Sequence, residues 1–116
     1  MYQLNFSEQS MSMLNGLEKW DQMPLLDKFS NITPEDLEEL REDLGRFHRD
    51  GKTFYRLRAG DYRLYFEVKG EDLYCHYILH QHTLTDFVFR FKLPFNSDQV
   101  IEQHQSFWEY LDTLKK

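Results

Sequence analysis

The residues whose types and spacing best suit chemistry are three arginines in the stretch FYRLRAGDYRLYFEV, from Phe54 to Val68. Arg56 and Arg58 are two residues apart, and Arg63 follows a Gly-Asp turn. Because side chains alternate across a β-strand, residues two apart share a face. Three guanidinium groups that converge on one patch suit a phosphate, since each can donate two parallel hydrogen bonds to anionic oxygens.

The second strand of this predicted hairpin indicates which side of the sheet is buried. Its alternating apolar residues should form the core face: Tyr62, Leu64, Phe66 and Val68. Arg63, Tyr65 and Glu67 then share the opposite face. We therefore expect the arginines on an open surface of the sheet, with Tyr65 as a candidate substrate-binding residue. The alternative is a solvated hairpin whose arginines pair with nearby carboxylates such as Glu67, Glu71 or Asp72.

Histidines form the second group of candidate residues. In a strand from Leu73 to about His82, alternation would place His76, His80 and His82 on one face. Imidazole titrates near neutral pH, so His80 and His82 are candidate catalytic residues and His76 is a candidate substrate-binding residue. Alternate strand residues lie roughly 6–7 Å apart and match no common zinc pattern, so we expect no metal and no cofactor. A structural role is the alternative.

The remaining composition argues against several other classes of protein. The chain has no glycine-rich phosphate loop, no GxSxG elbow and no dinucleotide fingerprint. Its single cysteine, Cys75, excludes an intramolecular disulfide, fits a reducing compartment and is expected in the core. No apolar run approaches the ~20 residues that a membrane span needs. We therefore expect a soluble, cytoplasmic protein with no membrane partner.

Charge is distributed unevenly along the 116 residues, whose formal net charge is −6. Residues 34–50 include seven acidic residues and three arginines, a net of −4, whereas residues 51–70 include five basic and two acidic residues, a net of +3. The whole chain would repel a polyanion at long range. Any contact with nucleic acid must therefore be short-ranged and focused on the basic hairpin.

The elements before the hairpin follow from periodicity and from capping residues. Residues 2–6 alternate as a short strand, and Ser7 can cap the helix after it. Pro24 should end that helix or begin another. Thr33 and Pro34 are a strong helix start, and the spacing after them predicts a helix that ends before Asp50. Its apolar stripe would consist of Leu37, Leu40, Leu44 and Phe47.

Four further strands are expected after that helix. The hairpin strands run from about Thr53 to Arg58 and from Tyr62 to Val68, and the histidine-containing strand follows. Alternation from Phe87 to Leu93 predicts the last strand, which Pro94 should end.

A closing helix should begin at Ser97, which can cap it. Its inner stripe would consist of Val100, Ile101, His104, Phe107, Trp108, Leu111 and Leu114. We expect this helix to dock on the rest of the chain. The order of elements predicts one α+β domain over residues 1–116, with residues 94–116 as a C-terminal helical extension. It would contain a small antiparallel or mixed β-sheet of four to five strands, two or three N-terminal helices and a C-terminal helix.

The hairpin resembles the central signature of the RelE/ParE toxin superfamily. That signature is close to Y-R-L-R-x-G-D-Y-R-x-x-Y-x-V, and the stretch from Tyr55 to Val68 fits it at nearly every position. The similarity is looser as far as about Phe89. Before the hairpin, only the order of strand and helices is similar. The resemblance therefore rests on a minority of the chain.

This resemblance implies a toxin of a toxin–antitoxin system, held in check by a small antitoxin protein. Ribosome-dependent members cleave mRNA in the ribosomal A site, where the 2′-hydroxyl of the RNA attacks the neighbouring phosphate without a metal. Arg56, Arg58 and Arg63 would then hold the phosphate and stabilise its extra negative charge. His80 or His82 falls near a histidine of some relatives. The implied protein is a translational repressor whose partners include ribosome and mRNA, and its oligomeric state stays open.

The chain also departs from the pattern of active members. Those members usually have an arginine and then a tyrosine after the fourth strand, whereas this chain has Thr83 or Thr85 and then Phe87 or Phe89. Phenylalanine can stack on a base, which makes Phe89 a candidate substrate-binding residue, but it cannot transfer a proton. The alternative function is a catalytically weakened or inactive RelE-like domain that serves as a protein-binding module.

Overall fold

The computed structural model describes residues 2–93 and 98–114. The strands are β1 (Gln3–Phe6), β2 (Leu44–Arg49), β3 (Lys52–Ala59), β4 (Tyr62–Lys69) and β5 (Asp72–His80). They form one sheet with the order β1-β5-β4-β3-β2. Strand β1 pairs with β5 in parallel, and the other neighbours are antiparallel. The prediction of an α+β fold with a small mixed sheet is confirmed.

Helices lie between β1 and β2 and after β5. They are α1 (Glu8–Asn15), α2 (Lys19–Ser30), α3 (Pro34–Glu38), α4 (Gln81–Arg90), α5 (Asp98–Glu102) and α6 (Gln105–Leu114). The predicted caps of α1 and α3 are confirmed. The Ser7 hydroxyl accepts a hydrogen bond from the Ser10 N–H at 3.1 Å, and Thr33 forms a capping box with Asp36.

Pro24 lies inside α2, so the prediction that it ends or begins a helix is wrong. A proline within a helix removes one backbone hydrogen bond and crowds the preceding turn. Leu25 and Phe29 follow it on the same helix and are buried against the sheet. Their burial keeps α2 continuous despite the proline.

The long helix expected between Thr33 and Asp50 is also wrong. The helix α3 ends at Glu38, and residues 44–49 form the strand β2, which pairs with β3. Asp50 and Gly51 join the two strands, and both have positive φ, as a two-residue type I′ hairpin turn requires. The hairpin places Leu44 and Phe47 on opposite faces of the sheet. Tertiary pairing therefore outweighs the helical spacing of these residues.

The last predicted strand, from Phe87 to Leu93, is a helix instead. Strand β5 ends at His80, whose Nδ1 accepts a hydrogen bond from the His82 N–H at the start of α4. Leu84 and Phe87 lie three residues apart and are buried on one side of this helix. Period-two and helical patterns are hard to distinguish over so short a segment. The predicted roles of Pro94 and Ser97 lie outside the described residues.

Each face of the sheet is covered by its own apolar cluster. We call the face that packs against α1 and α2 the inner face; its core includes Leu57, Leu64 and Phe66 from the sheet. The other, which carries the three arginines, is the outer face. Side chains of α4, α5 and α6 pack over it, around Phe47 and Tyr65. The C-terminal segment is docked as expected, in two helices instead of one. None of the helices described is both long and apolar enough to span a membrane.

Candidate anion site on the outer face

The three arginines gather on the outer face, as alternation predicted. Strands β3 and β4 place Arg58 opposite Arg63 and Arg56 opposite Tyr65, and opposite residues of an antiparallel pair share a face. All three guanidinium groups meet one oxygen, Oδ2 of Asp98. The distances to it are 2.8 Å from Arg63 Nε, 3.1 Å from Arg58 Nη2 and 3.7 Å from Arg56 Nε.

The expectation that this surface is open is wrong. Arg56 is 5% exposed and Arg63 is 8% exposed, because α5 lies over them. Arg58 is the more accessible member, with a side chain that is 35% exposed. The carboxylates that pair with the arginines come from α5, not from the hairpin. We call Arg56, Arg58 and Arg63 the arginine cluster.

Asp98 and Glu102 lie four residues apart on α5 and respond differently to burial. For Asp98, burial opposes ionisation, but the hydrogen bond and charge of Arg63 outweigh it, so its pKa lies below the ordinary value. Burial raises the pKa of Glu102 to about 7, although the charge of Arg56 opposes this. Glu102 Oε2 is 3.5 Å from Arg56 Nε, an ion-pair distance without a regular hydrogen bond. At neutral pH, Asp98 is therefore ionised, whereas Glu102 has a pKa close to the pH of the solution.

The polar layer around the arginine cluster is incompletely hydrogen-bonded. Among the described residues, three buried arginine atoms of this cluster have no hydrogen-bond partner: Arg56 Nε, Arg56 Nη1 and Arg58 Nε. Burial, followed by the charges of Glu102 and Asp98, holds the pKa of Tyr65 well above its ordinary value, so its phenol stays neutral. Unsatisfied buried donors of this kind are costly and rare in native proteins, so they mark a place where a further hydrogen-bond acceptor could bind.

Gly45 of β2 provides the space in which the Arg56 guanidinium lies. The two residues are opposite each other in the sheet, and a Cβ on Gly45 would collide with the Arg56 side chain. Sequence reasoning missed this residue because it placed Gly45 in a helix. It also missed Asp98 and Glu102. The available signal was their spacing of four residues, which places both on the same side of the predicted closing helix, next to Ile101 of its inner stripe.

The three histidines do not share one face. Cys75 pairs with Phe66, and Tyr77 pairs with Tyr65, so His76 is an extra residue at a β-bulge and the alternation changes there. His76 lies on the outer face, where its Nε2 is 2.6 Å from Glu67 Oε2.

His80 lies on the inner face instead. It pairs with Tyr62 in the sheet, and the rings of the two residues meet edge to face, with centroids 5.1 Å apart. His82 is in α4, and its ring stacks on His80 with centroids 4.6 Å apart. The bulge at His76 and the early end of β5 therefore make the expected histidine face wrong.

An accessible cavity of about 210 Å³ lies on the outer face beside the arginine cluster. Its lining includes two predicted substrate-binding residues, Tyr65 and His76, with Trp108 of α6. Arg49 lies over the Trp108 ring at 4.9 Å from its centroid. Aromatic walls with basic residues suit a nucleobase and its phosphate. Tyr65 lines this cavity and lies opposite Arg56 of the covered arginine cluster.

The residues at the departures from the superfamily pattern all lie in α4. Phe87 is 1% exposed and packs on Phe107 of α6, so it is unavailable to a ligand. Phe89 is 81% exposed and borders a shallow surface depression with Thr83 and Thr85. Of these two phenylalanines, Phe89 is thus the one whose ring is accessible to a ligand. Within the described part of the chain, no group of three or more histidine, cysteine or acidic side chains could hold a metal.

No protein family model matches the sequence. No curated protein matches it either. In structure, the chain is similar to a chain of the archaeal RelE–RelB complex from Pyrococcus horikoshii. The TM-score is 0.57 and the identity 20%, over 69% of this chain and 94% of that chain.

Two other solved structures show weaker similarity. One is the RelB–RelE antitoxin–toxin complex of Methanococcus jannaschii, with 21% identity over 72% of this chain and 96% of that chain and a TM-score of 0.43. The other is a conserved hypothetical protein of Helicobacter pylori, with 19% identity over 71% of this chain and 97% of that chain and a TM-score of 0.45. These two TM-scores are too low to support an assignment, which rests on the Pyrococcus structure. The chain therefore has a RelE/ParE toxin-like fold.

Proposed function

We propose that this protein is the toxin-like component of a toxin–antitoxin system, a single domain that represses translation by acting on RNA through the arginine cluster. The observation that carries this proposal is the convergence of Arg56, Arg58 and Arg63 on a single anionic oxygen. Groups that hold a carboxylate oxygen in this way can hold a phosphate oxygen by the same ion pairs. The RelE-like fold of the sheet that carries them supports the same interpretation.

The reaction that fits these residues is metal-independent cleavage of RNA. The 2′-hydroxyl oxygen attacks the neighbouring phosphorus while the bond to the 5′-oxygen breaks. A base accepts the 2′-proton, and an acid supplies a proton to the departing 5′-oxygen. The arginine cluster binds the phosphate and stabilises the charge that its oxygens gain in the transition state. Arg58, the most exposed of the three, would meet the substrate first.

Proton transfer requires a titratable group on the same face, and His76 is the predicted histidine that lies there. The Glu67 carboxylate holds its Nε2, which would orient the ring and leave proton exchange to Nδ1. Tyr65 is unsuited to act as a base because burial holds its pKa well above the ordinary value. The catalytic roles of His80 and His82 stay predictions. Because His80 lies on the inner face, opposite the arginine cluster, and His82 stacks on it, we favour His76 for the proton transfer.

The proposed partners are a small antitoxin protein and, as the target, mRNA on the ribosome. The solved structure that supports the fold assignment is a RelE–RelB complex, which favours an antitoxin of comparable kind for this chain. The net charge of −6 disfavours general attraction to polyanions. Contact with RNA would therefore depend on the local arginine cluster.

In-vitro translation of a defined mRNA, followed by primer extension, tests this proposal. The wild-type protein should produce discrete cuts. Arg63→Ala should reduce the cleavage rate by roughly 10²–10³-fold, because it removes a group that stabilises transition-state charge. Circular dichroism should first establish that this variant folds, since Arg63 is buried.

Arg41→Ala is the matched control. It also removes one guanidinium group, but that group pairs with Asp36 and Asp43 outside the arginine cluster. Its cleavage rate should equal that of the wild type. Intact mRNA and normal translation at every concentration of wild-type protein would refute the proposal.

A second candidate function is that of a weakened or inactive RelE-like domain that binds proteins. Two observations favour it: the arginine cluster is covered by α5, and Phe87, at one of the tyrosine-equivalent positions, is buried. Recovery of a stable protein complex, together with intact mRNA in the translation assay, would favour this function over cleavage.

A further inference from the structure

The segment over the arginine cluster places acidic side chains where the proposed substrate would place its phosphate. We propose that α5 is an intramolecular inhibitor: Asp98 and Glu102 occupy the arginine cluster, and single-stranded RNA competes with α5 for the same guanidinium groups. This inference rests on the proposed function, because it concerns the regulation of the same site.

The charges of the arginine cluster and of α5 are opposite in sign but unequal in number. Three guanidinium groups face two carboxyl groups, and all three approach the same oxygen of Asp98. One carboxylate oxygen cannot accept from every donor around it, and Arg56 and Arg58 keep buried N–H groups with no hydrogen-bond partner among the described residues. A phosphodiester presents two non-bridging oxygens, each of which can accept from a different guanidinium group. RNA could therefore pair with arginine N–H groups that α5 leaves without a partner.

The burial of Glu102 makes the covering of the arginine cluster by α5 less favourable. Its side chain is 1% exposed and lies 3.5 Å from Arg56 Nε, an ion-pair contact without a regular hydrogen bond. Burial raises its pKa to about 7, so ionised Glu102 is held in surroundings that disfavour its charge. Releasing α5 would return this group to water, which makes release easier.

The two C-terminal helices are attached to the sheet in different ways. Helix α6 buries Phe107, Trp108 and Leu111 in the apolar cluster of the outer face. Helix α5 has only five residues, with Ile101 as its fully buried apolar side chain among those described. The break between the helices allows α5 to leave while α6 stays docked. One further bond, from Trp108 Nε1 to the Glu102 carbonyl at 2.9 Å, would be lost.

The test is a binding titration of the full chain with a fluorescently labelled single-stranded RNA oligonucleotide of mixed sequence, followed by anisotropy at constant salt. The double variant Asp98→Asn with Glu102→Gln keeps the side-chain shapes and removes both charges. If α5 covers the site in more than nine molecules of ten, release should tighten binding by about tenfold or more. Adding Arg63→Ala to the double variant should abolish the gain.

The control changes the net charge by the same amount away from the site. Glu38→Gln with Glu109→Gln neutralises two exposed carboxylates and should alter affinity by less than about threefold, through long-range charge alone. A folded double variant that binds RNA no more tightly than this control would overturn the proposal.

Hydrogen exchange on the wild-type protein gives a second measurement that does not depend on any variant folding. Saturating RNA should accelerate amide exchange in residues 98–102 while the amides of α6 stay protected. Unchanged exchange in α5 at saturation would overturn the inhibitor proposal. Intact mRNA in the translation assay, combined with tighter RNA binding by the double variant, would refute the cleavage function and still support the inhibitor.

Discussion

The buried carboxyl of Glu102 should make the stability of this protein depend on pH. Burial raises its pKa from an ordinary value of 4.5 to about 7. The folded chain therefore binds the proton more tightly than the unfolded chain does. The stabilisation from protonated Glu102 is complete below the unfolded pKa and is lost as the pH rises through about 7. Asp98 has a lowered pKa, so its contribution is lost only in acid and leaves this window unaffected.

The magnitude follows from the two pKa values. One pKa unit corresponds to about 1.4 kcal/mol, so the full effect is about 3 kcal/mol. Most of it falls between about pH 5 and pH 8. Glu102→Gln cannot titrate. The free energy of unfolding of this variant, relative to that of the wild type, should therefore rise by about 2–3 kcal/mol across that interval.

Urea unfolding at a series of pH values, followed by circular dichroism and by the fluorescence of buried Trp108, measures this difference. Glu109→Gln makes the same chemical change at an exposed position of α6 and should show a difference from the wild type that does not vary with pH. A constant difference for Glu102→Gln as well would show that this carboxyl is solvated. A difference that falls as the pH rises would show that attraction to Arg56 outweighs burial.

Three further predictions concern stability and reactivity. Gly45→Ala should lower the free energy of unfolding by about 1–3 kcal/mol, because its Cβ would displace the buried Arg56 guanidinium from Asp98 and Glu102. Gly16→Ala, where a Cβ meets only ordinary contacts, should be tolerated in the same urea titration. Burial raises the pKa of the Cys75 thiol to about 12, so a disulfide reagent should react with it at about pH 8 only after unfolding, as absorbance would show. Ser7→Ala should cost about 1 kcal/mol in thermal unfolding, because it removes the cap of α1 and the 2.6 Å hydrogen bond to the His76 carbonyl.

Features that depend on neighbouring residues could be predicted from the sequence. Ser7 and Thr33 cap helices as their side chains indicate. Gly60 and Gly70 occupy the positive-φ positions of the two turns that flank β4. The alternation through the hairpin correctly placed the three arginines together, because pleating and strand pairing fix side-chain direction over a few residues.

Features that depend on pairing between distant segments could not be predicted in this way. Residues 44–49 carry a helical spacing, but they become a strand because β3 offers its edge and the Asp50–Gly51 turn directs the chain back along it. The bulge at His76 changes the alternation of β5, so residues expected together lie on opposite faces. The local sequence signal for this strand is weaker than the helical spacing of the same residues, and the signal for the bulge is weaker than the regular alternation along β5.

The sequence by itself determined that a RelE-like hairpin gathers Arg56, Arg58 and Arg63 on one face, since that arrangement needs only strand geometry and a two-residue turn. Only the tertiary structure decided that α5 covers the arginine cluster. Asp98 reaches the arginine cluster from 35 residues beyond Arg63, carried there by the apolar packing of the C-terminal helices on the outer face. Burial by a distant segment depends on the whole fold, and it makes the site a covered arginine cluster instead of an open one.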